Sequence, residues 1–269
     1  MLTNAEIKRL SELKERSGRK EHGLFFIEGK RAVQEALTGD ASIAQVIVSL
    51  ATPSNKLSEI YSLAAEKEIQ IEETPAAKFT KLSSTETSQG VIAVAKIREL
   101  LPEQLLSELR PKRKATVLVL DRVSDPGNLG TILRSGAWFG VDGVFIGQGS
   151  VDAYNPKVVR SAMAAICQLD VAQEVVLAEI ISKLKGLGFA AAASTQDAEL
   201  SYAEYEFPIR SAIVFGSEAS GISANVARLC EVKIGIPRTG KMESLNVGVA
   251  ASIVLSELAR QRSARRNNS

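Results

Sequence analysis

Apolar positions along this chain come in short runs separated by amphipathic stretches. Ile7, Leu10 and Leu13 recur at helical spacing, LFFIE (24–28) predicts a strand, and GKRAVQEAL (29–37) a helix. The alternation continues with strand QVIVS (45–49), helix NKLSEIYSLAAEK (55–67), strand IQIEE (69–73), helix PAAKFTKL (75–82) and strand GVIAVAK (90–96). This predicts a compact α/β module over residues 1–98, with parallel pairing across helical crossovers. ELLPEQLLSELRPKRK (99–114) is charged, carries two prolines and reads as a linker holding at most a helical turn.

A second series starts at ATVLVLD (115–121) and runs through VDGVFIG (141–147), FAAAAST (189–195), SAIVFG (211–216) and EVKIGIP (231–237), with helices between. These runs lack polar alternation, as a parallel sheet covered on both faces requires. The second domain is therefore drawn over 115–263, followed by a flexible basic tail, 264–269.

With 269 residues, 45% of them hydrophobic and 24% charged, the chain has an ordinary globular balance and enough length for two domains. Its opening stretch is polar and charged and no apolar run is longer than a strand, which points to a cytoplasmic protein without a membrane span. Cys167 and Cys230 lie far apart in apolar surroundings and read as buried free thiols. A single histidine, His22, argues against a His/Cys metal site. The net charge of +2 does not call for a polyanionic partner, but its distribution is uneven. Lys8, Arg9, Lys14, Arg16, Arg19, Lys20, Lys30 and Arg31 crowd the first segment, Arg110, Lys112, Arg113 and Lys114 sit mid-chain, and Arg260, Arg262, Arg265 and Arg266 end the chain. Glu6, Glu12, Glu15 and Glu21 dilute the first group, so a solvated face and a phosphate-contacting face both account for it.

Three stretches carry candidate chemistry. In DPGNLGTILRSGAWFGVDGV (125–144), a turn leads to a helix with apolar side Leu129, Ile132, Leu133 and Ala137. Asn128 suits its N-cap, and Arg134 falls off the apolar stripe, toward solvent or toward a cleft at the carboxyl end of the preceding strand. VFGSEASGIS (214–223) is a strand-to-helix turn of small residues, where a ligand can approach exposed backbone groups. It is neither GxxxxGK[ST] nor GxGxxG, so P-loop and dinucleotide readings lose their main support. In IGIPRTGKMESLNVGVAASIVLSELAR (234–260), a last helix opening with Ser244, Leu245 and Asn246 is kept thin by Gly248, Ala250, Ala251 and Ser252, which suits another element pressed closely against it.

In this order, the three stretches together with NPKVVRSAMAAI resemble the motifs of the SpoU (TrmH-like) RNA 2′-O-ribose methyltransferases of the SPOUT superfamily, over residues 115 to about 262. The first module, through IKRLSELKERSGRKEHGLFFIEGKRAVQEAL and ETSQGVIAVAK, resembles the L30e-like substrate-binding domain often fused ahead of that catalytic domain. Ala219 and Ala164 depart from the family pattern, standing where glycine is common. The resemblance implies an α/β fold: a SPOUT-type parallel sheet closed by a C-terminal trefoil knot, preceded by a smaller L30e-like α/β domain. It implies a homodimer with active sites near the dimer interface.

It further implies S-adenosylmethionine as methyl donor, no metal, and an RNA partner, ribosomal RNA first and transfer RNA second. By motif position Asn128, Arg134, Glu218, Ser244 and Asn246 carry over as the catalytic set. Ser194, Thr195, Gly216, Gly221, Ile236, Pro237 and Leu245 carry over as donor contacts. On an RNA substrate, Lys8, Arg9, Arg16, Arg19, Lys20 and Arg31 become candidate phosphate contacts. A noncatalytic RNA-binding scaffold stays open as the alternative, and would not bind the donor.

Overall fold

The computed structural model describes residues 1–98 and 100–267, with side chains as far as Arg265. In chain order the elements begin with α1 (Asn4–Ser11), α2 (Arg16–His22), β1 (Leu24–Glu28), α3 (Lys30–Thr38), β2 (Ile43–Ser49), α4 (Ser58–Glu66), β3 (Ile71–Thr74), α5 (Ala76–Leu82) and β4 (Val91–Lys96). Next come α6 (Pro102–Leu109), β5 (Ala115–Asp121), α7 (Pro126–Trp138), β6 (Gly143–Gly147), α8 (Pro156–Ala162), β7 (Val171–Val175) and α9 (Leu177–Gly186). The chain ends with β8 (Ala190–Ser194), β9 (Leu200–Ser201), β10 (Arg210–Gly216), α10 (Ala224–Ala227), β11 (Val232–Gly235) and α11 (Val247–Asn267). Among the described residues, no helix is long and apolar enough to cross a membrane.

Two compact units form, and they do not follow chain order: Asp152–Gln168 packs with Met1–Arg98, and the rest of the described chain makes the second unit. A buried ion pair explains the excursion. Arg19, 3% exposed, donates from Nε and Nη2 to Asp152 Oδ2 at 3.1 and 2.6 Å, while its Nη1 donates to the carbonyls of Leu13 and Lys14. Tyr154 adds a ring contact to Phe25, centroids 4.9 Å apart, and donates its hydroxyl to the Arg98 carbonyl. The NPKVVRSAM stretch, expected within 115–263, is thereby held in the first unit. Arg19, read from sequence as a phosphate contact, is corrected to an internal strut with every guanidinium nitrogen engaged.

The first unit's sheet runs β1-β4-β2-β3. Only β2 and β3 pair in parallel, whereas β4 runs antiparallel to both β1 and β2. The expected all-parallel pairing fails here because a buried apolar run has the same composition whichever way the strand points. Its core joins Leu10, Leu13, Phe26, Ile47, Phe79 and Ile92.

The second unit's sheet runs β7-β6-β5-β10-β8-β11-β9, every pair parallel. β5 and β6 are buried along their whole length, which accounts for their unbroken apolar composition. The expected linker 99–114 instead contains α6, whose Leu105, Leu106 and Leu109 are buried in the second unit's core; Glu99 lies outside the described residues. β7 escaped the sequence reading because it is an edge strand whose Gln173 and Glu174 interrupt the apolar run. Both cysteines are free and only half buried, and burial pushes the Cys167 thiol up to about 12 and Cys230 up to about 11. The basic tail expected from residue 264 continues as helix α11 to Asn267, and its last two positions lie outside the described residues.

Within the first unit Glu28 is buried, and its carboxylate collects hydroxyls from Ser83, Ser84 (2.7 Å) and Thr85 (3.0 Å) and the Ser84 N–H (2.9 Å). Arg160 Nη1 braces the same loop by donating to Ser84 Oγ at 2.6 Å. Burial alone would raise the Glu28 pKa, but the hydrogen bonds from Ser83, Ser84 and Thr85 outweigh it and hold the group below its ordinary value. A depressed native pKa contributes stability above the unfolded value, and that contribution is lost as pH falls through the native one. Glu28→Gln should therefore lower unfolding stability at pH 7 by about 2 kcal/mol, the scale of hydrogen bonds to a charged group. In urea melts against pH the gap between variant and parent should close on acidification; a gap independent of pH would refute the assignment.

Candidate active site

Because the strands of the second sheet are parallel, the loops leaving β5, β10 and β11 share its carboxyl edge, where open α/β sheets bind ligands. The first loop ends at Asp125, whose Oδ1 accepts the Asn128 N–H at 2.8 Å and N-caps α7, with Pro126 in the first helical position. The sequence reading gave this cap to Asn128. With Asp125 in the role, the Asn128 amide is free for other partners.

The second loop is pinned at both ends. Asp121, 5% exposed at the end of β5, accepts the Ser223 N–H at 2.7 Å, and the Gly221 N–H donates to the Ser217 carbonyl at 2.8 Å. A Cβ on Gly216 would stand 2.3 Å from the Gly221 carbonyl carbon, and Gly221 itself takes φ 62°, so both positions require glycine. Ala219 needs no left-handed backbone and donates its N–H to Ser217 Oγ. Ala164, with φ −85°, is equally unstrained, so both departures from the family pattern fit their backbone.

The third loop closes on Asn246. Its Oδ1 accepts the N–H groups of Gly248 (2.9 Å) and Val249 (3.2 Å), so α11 begins at Val247 with Asn246 as cap, not at Ser244 as the sequence reading placed it. The three loops then meet through one side chain. Asn128 Nδ2 donates to Glu218 Oε1, and Asn128 Oδ1 accepts from Asn246 Nδ2 at 2.7 Å.

Packing of α11 on α7 holds the junction from below. A Cβ on Gly248 would touch Thr131 at 3.0 Å, and Ser135 and Ser252 join through their hydroxyls at 2.7 Å. Ser252 already donates to the Gly248 carbonyl, so Ser135 supplies the proton of the interhelical bond. The small residues of the last helix thus find the close partner that the sequence called for.

Of the five residues named as catalytic, the structure joins Asn128, Glu218 and Asn246. Arg134 is exposed on α7 and makes no hydrogen bond or ion pair among the described residues; Ser244 is likewise exposed without one. Ser194, Thr195, Gly216, Gly221, Ile236 and Pro237 gather at the ends of the neighbouring strands β8, β10 and β11, and Leu245, 46% exposed, precedes the capping Asn246. Thr195 Oγ1 is buried without a hydrogen bond of ordinary geometry, yet lies close enough to Asp197 to be the largest cause of that carboxylate's lowered pKa. On the first unit Lys8, Arg9, Arg16, Lys20 and Arg31 are exposed, Arg31 pairing with Glu35 at 3.2 Å. Asp121 and Asp125 were missed as site-building residues; an acid ending a wholly apolar strand was the available signal for the first.

The chain resembles known proteins along most of its length. Residues 115–256 match the SpoU rRNA Methylase family, and residues 4–93 match the MRM3-like substrate binding domain. A protein of Staphylococcus aureus (strain MSSA476), named as a TrmH family tRNA/rRNA methyltransferase, is 33% identical over 238 residues, covering 88% of this chain and 96% of its own. A solved RNA 2′-O ribose methyltransferase is 31% identical and superposes with a TM-score of 0.81 over 97% of each chain. The SpoU methyltransferase AviRb from Streptomyces viridochromogenes, solved with the cofactor AdoMet, is 22% identical and shares the fold, with a TM-score of 0.83 over 97% of this chain and 98% of its own.

Replacing the bridging amide tests the junction. Asn128→Asp sets a carboxylate against Glu218 and removes the donor between them, costing about 1 kcal/mol. Amide hydrogen exchange over 217–223 and 247–250 should quicken roughly fivefold, as 1.4 kcal/mol per tenfold implies, while β5 and β6 stay protected. Unchanged exchange in those loops would mean that Asn128 does not hold them.

Proposed function

The chain belongs to the SpoU rRNA methylase family, and from that premise we propose that it is an S-adenosylmethionine-dependent enzyme that methylates a ribose 2′-hydroxyl in structured RNA. Ribosomal RNA is the favoured substrate and transfer RNA the alternative, with the cytoplasm as the place of action. The observation that carries the reading is the convergence of three sequence-distant loops on the Asn128 amide at the carboxyl edge of a parallel sheet.

The donor site is proposed at Ser194, Thr195, Gly216, Gly221, Ile236, Pro237 and Leu245. These residues fit an adenosyl group. They offer backbone groups at two glycines, apolar surface at Ile236 and Leu245, and a buried hydroxyl on Thr195 still able to take a conventional partner. When bound, the donor supplies an electrophilic methyl on a sulfonium. In the same reading the third loop and α11 form the trefoil knot of the SPOUT fold.

Guanidinium groups stay protonated in proteins, so Arg134 is poorly suited to removing a proton. Its role is to clamp the phosphate beside the target ribose and to stabilise the oxygen as its proton passes to solvent water. Glu218 and Asn246, tied through Asn128, hold the loops in register, and Ser244 faces the substrate. The positive charge departs with the hydroxyl proton into solvent water, so alignment of the ribose oxygen with the donor's methyl is the larger part of what the protein contributes. Lys8, Arg9, Arg16, Lys20 and Arg31 remain phosphate contacts in this reading; Arg19 does not.

Two measurements test it. Arg134→Ala should leave donor binding by calorimetry within about twofold and lower turnover on ribosomal RNA at least about 100-fold, or roughly 2.7 kcal/mol. Turnover within threefold of the parent would remove Arg134 from the mechanism. A homodimer is proposed to cover Trp138, 84% exposed on α7, and Val249, 43% exposed on α11. Trp138→Glu should shift sedimentation from dimer toward monomer without altering far-ultraviolet circular dichroism, and an unmoved dimer would place the interface elsewhere.

A further inference from the structure

The first unit contains an open cleft of about 750 Å³, a volume within the range of small-molecule sites. Its walls are Lys30, Arg31 and Gln34 at the start of α3, the turn Ala51–Leu57 after β2, and Ser88 with Gln89 ahead of β4. Three cations line it and no carboxylate does. Glu35 pairs with Arg31, and Glu59 accepts the Gln34 amide, so the nearest acids engage those two side chains. Lys30 and Lys56 make no ion pair among the described residues. Of the basic residues that crowd the first segment in the sequence, Lys30 and Arg31 line this cavity, and Lys56 joins them from the turn after β2.

The walls are fixed against one another. Gln89 Oε1 accepts the Lys30 N–H at 2.7 Å, tying the β4 approach to α3. Gly90, at φ 76°, lies so close to Thr52 that a Cβ would stand 1.7 Å from its hydroxyl oxygen, and the Ser49 N–H donates to the Gly90 carbonyl at 2.9 Å. These bonds leave the Gln89 amide nitrogen free to donate and the Gln34 carbonyl free to accept. Pro53, exposed above the buried Leu57, supplies apolar surface between the charges.

Cations around paired amide groups and an apolar floor suit an unpaired nucleotide, whose phosphate, base edge and base face each find a partner. Resting on the reading of this chain as an RNA methyltransferase, we propose that the Lys30–Lys56 cleft captures a single-stranded nucleotide of the RNA outside the site of methyl transfer. Lys30 and Lys56 take flanking phosphates, and Gln34 and Gln89 take the base edge. The exposed basic residues of α1 and α2, interleaved with acids, contribute a weaker and less directional attraction.

The test uses the full chain and two fluorescein-labelled probes, a 12-nucleotide single-stranded RNA and the same sequence as a duplex, in anisotropy titrations over a range of salt. Lys30→Glu with Lys56→Glu should weaken single-strand binding at least about tenfold and flatten its salt dependence by about 1.4, two contacts at roughly 0.7 each. Duplex binding should fall less than threefold, and reversal of Lys8 and Arg9 should cost less than reversal in the cleft. Circular dichroism and donor calorimetry on the same variant confirm that it is folded. Equal affinity and slope for the variant, with the parent binding well, would overturn the cleft and leave the RNA reading intact. Equal losses on both probes would overturn the preference for an unpaired nucleotide. A parent that binds neither probe, nor ribosomal RNA purified from cells lacking the protein, would overturn the RNA reading and the cleft with it.

Discussion

The arrangement of the second unit depends on one primary amide. Asn128 donates to Glu218 and accepts from Asn246, so a single side chain closes contacts to residues 90 and 118 positions further along the chain. Only a group carrying both a donor and an acceptor can do this, and a carboxylate or ammonium of similar size cannot. The amide is available because Asp125 has taken the cap of α7. Without that substitution of roles the Asn128 side chain would be turned back on its own helix.

The bridge would be weak if α11 could slide, and the structure pins that helix at both ends. At its start Asn246 caps two N–H groups while Gly248 and Ser252 sit against Thr131 and Ser135. Toward its end Arg262 reaches Thr116 and the carbonyls of Ala115 and Ile209, and Arg265 donates to the Phe207 carbonyl. Arg260 pairs with Glu257 on the same helix. Arginines that look like a basic tail in the sequence therefore act largely as staples between the last helix and the sheet. Burial is the leading cause of the lowered pKa of Arg262, which suits a role inside the fold.

Strands were legible where burial leaves continuous apolar runs; LFFIE in the first unit and ATVLVLD in the second mark their strands to the residue. Strand direction was not legible, since β4 reads the same parallel or antiparallel. Nor was the placement of Asp152–Gln168, which turns on Arg19 meeting an acid 133 residues away. Local patterns carry no trace of such pairings, and Arg19 stood among exposed cations of the same type. The candidate site was legible as motifs but not as a bridge: the residue types at 128, 218 and 246 were named, whereas which of them touch depends on who caps α7.

This division of labour among polar groups bears on the proposed chemistry. Asp121, Asp125 and Glu218 are each held by an N–H donor, and Asn246 both caps a helix and donates to Asn128. The groups that build the loops are thus already committed, whereas Arg134 and Ser244 of the proposed catalytic set make no hydrogen bond or ion pair among the described residues. With the hydroxyl proton passing to solvent water, the proposed transfer asks of the protein chiefly geometry. Rigid amide and backbone bonds setting the frame, with the Arg134 guanidinium left free on α7, match that demand better than a cluster of titratable groups would.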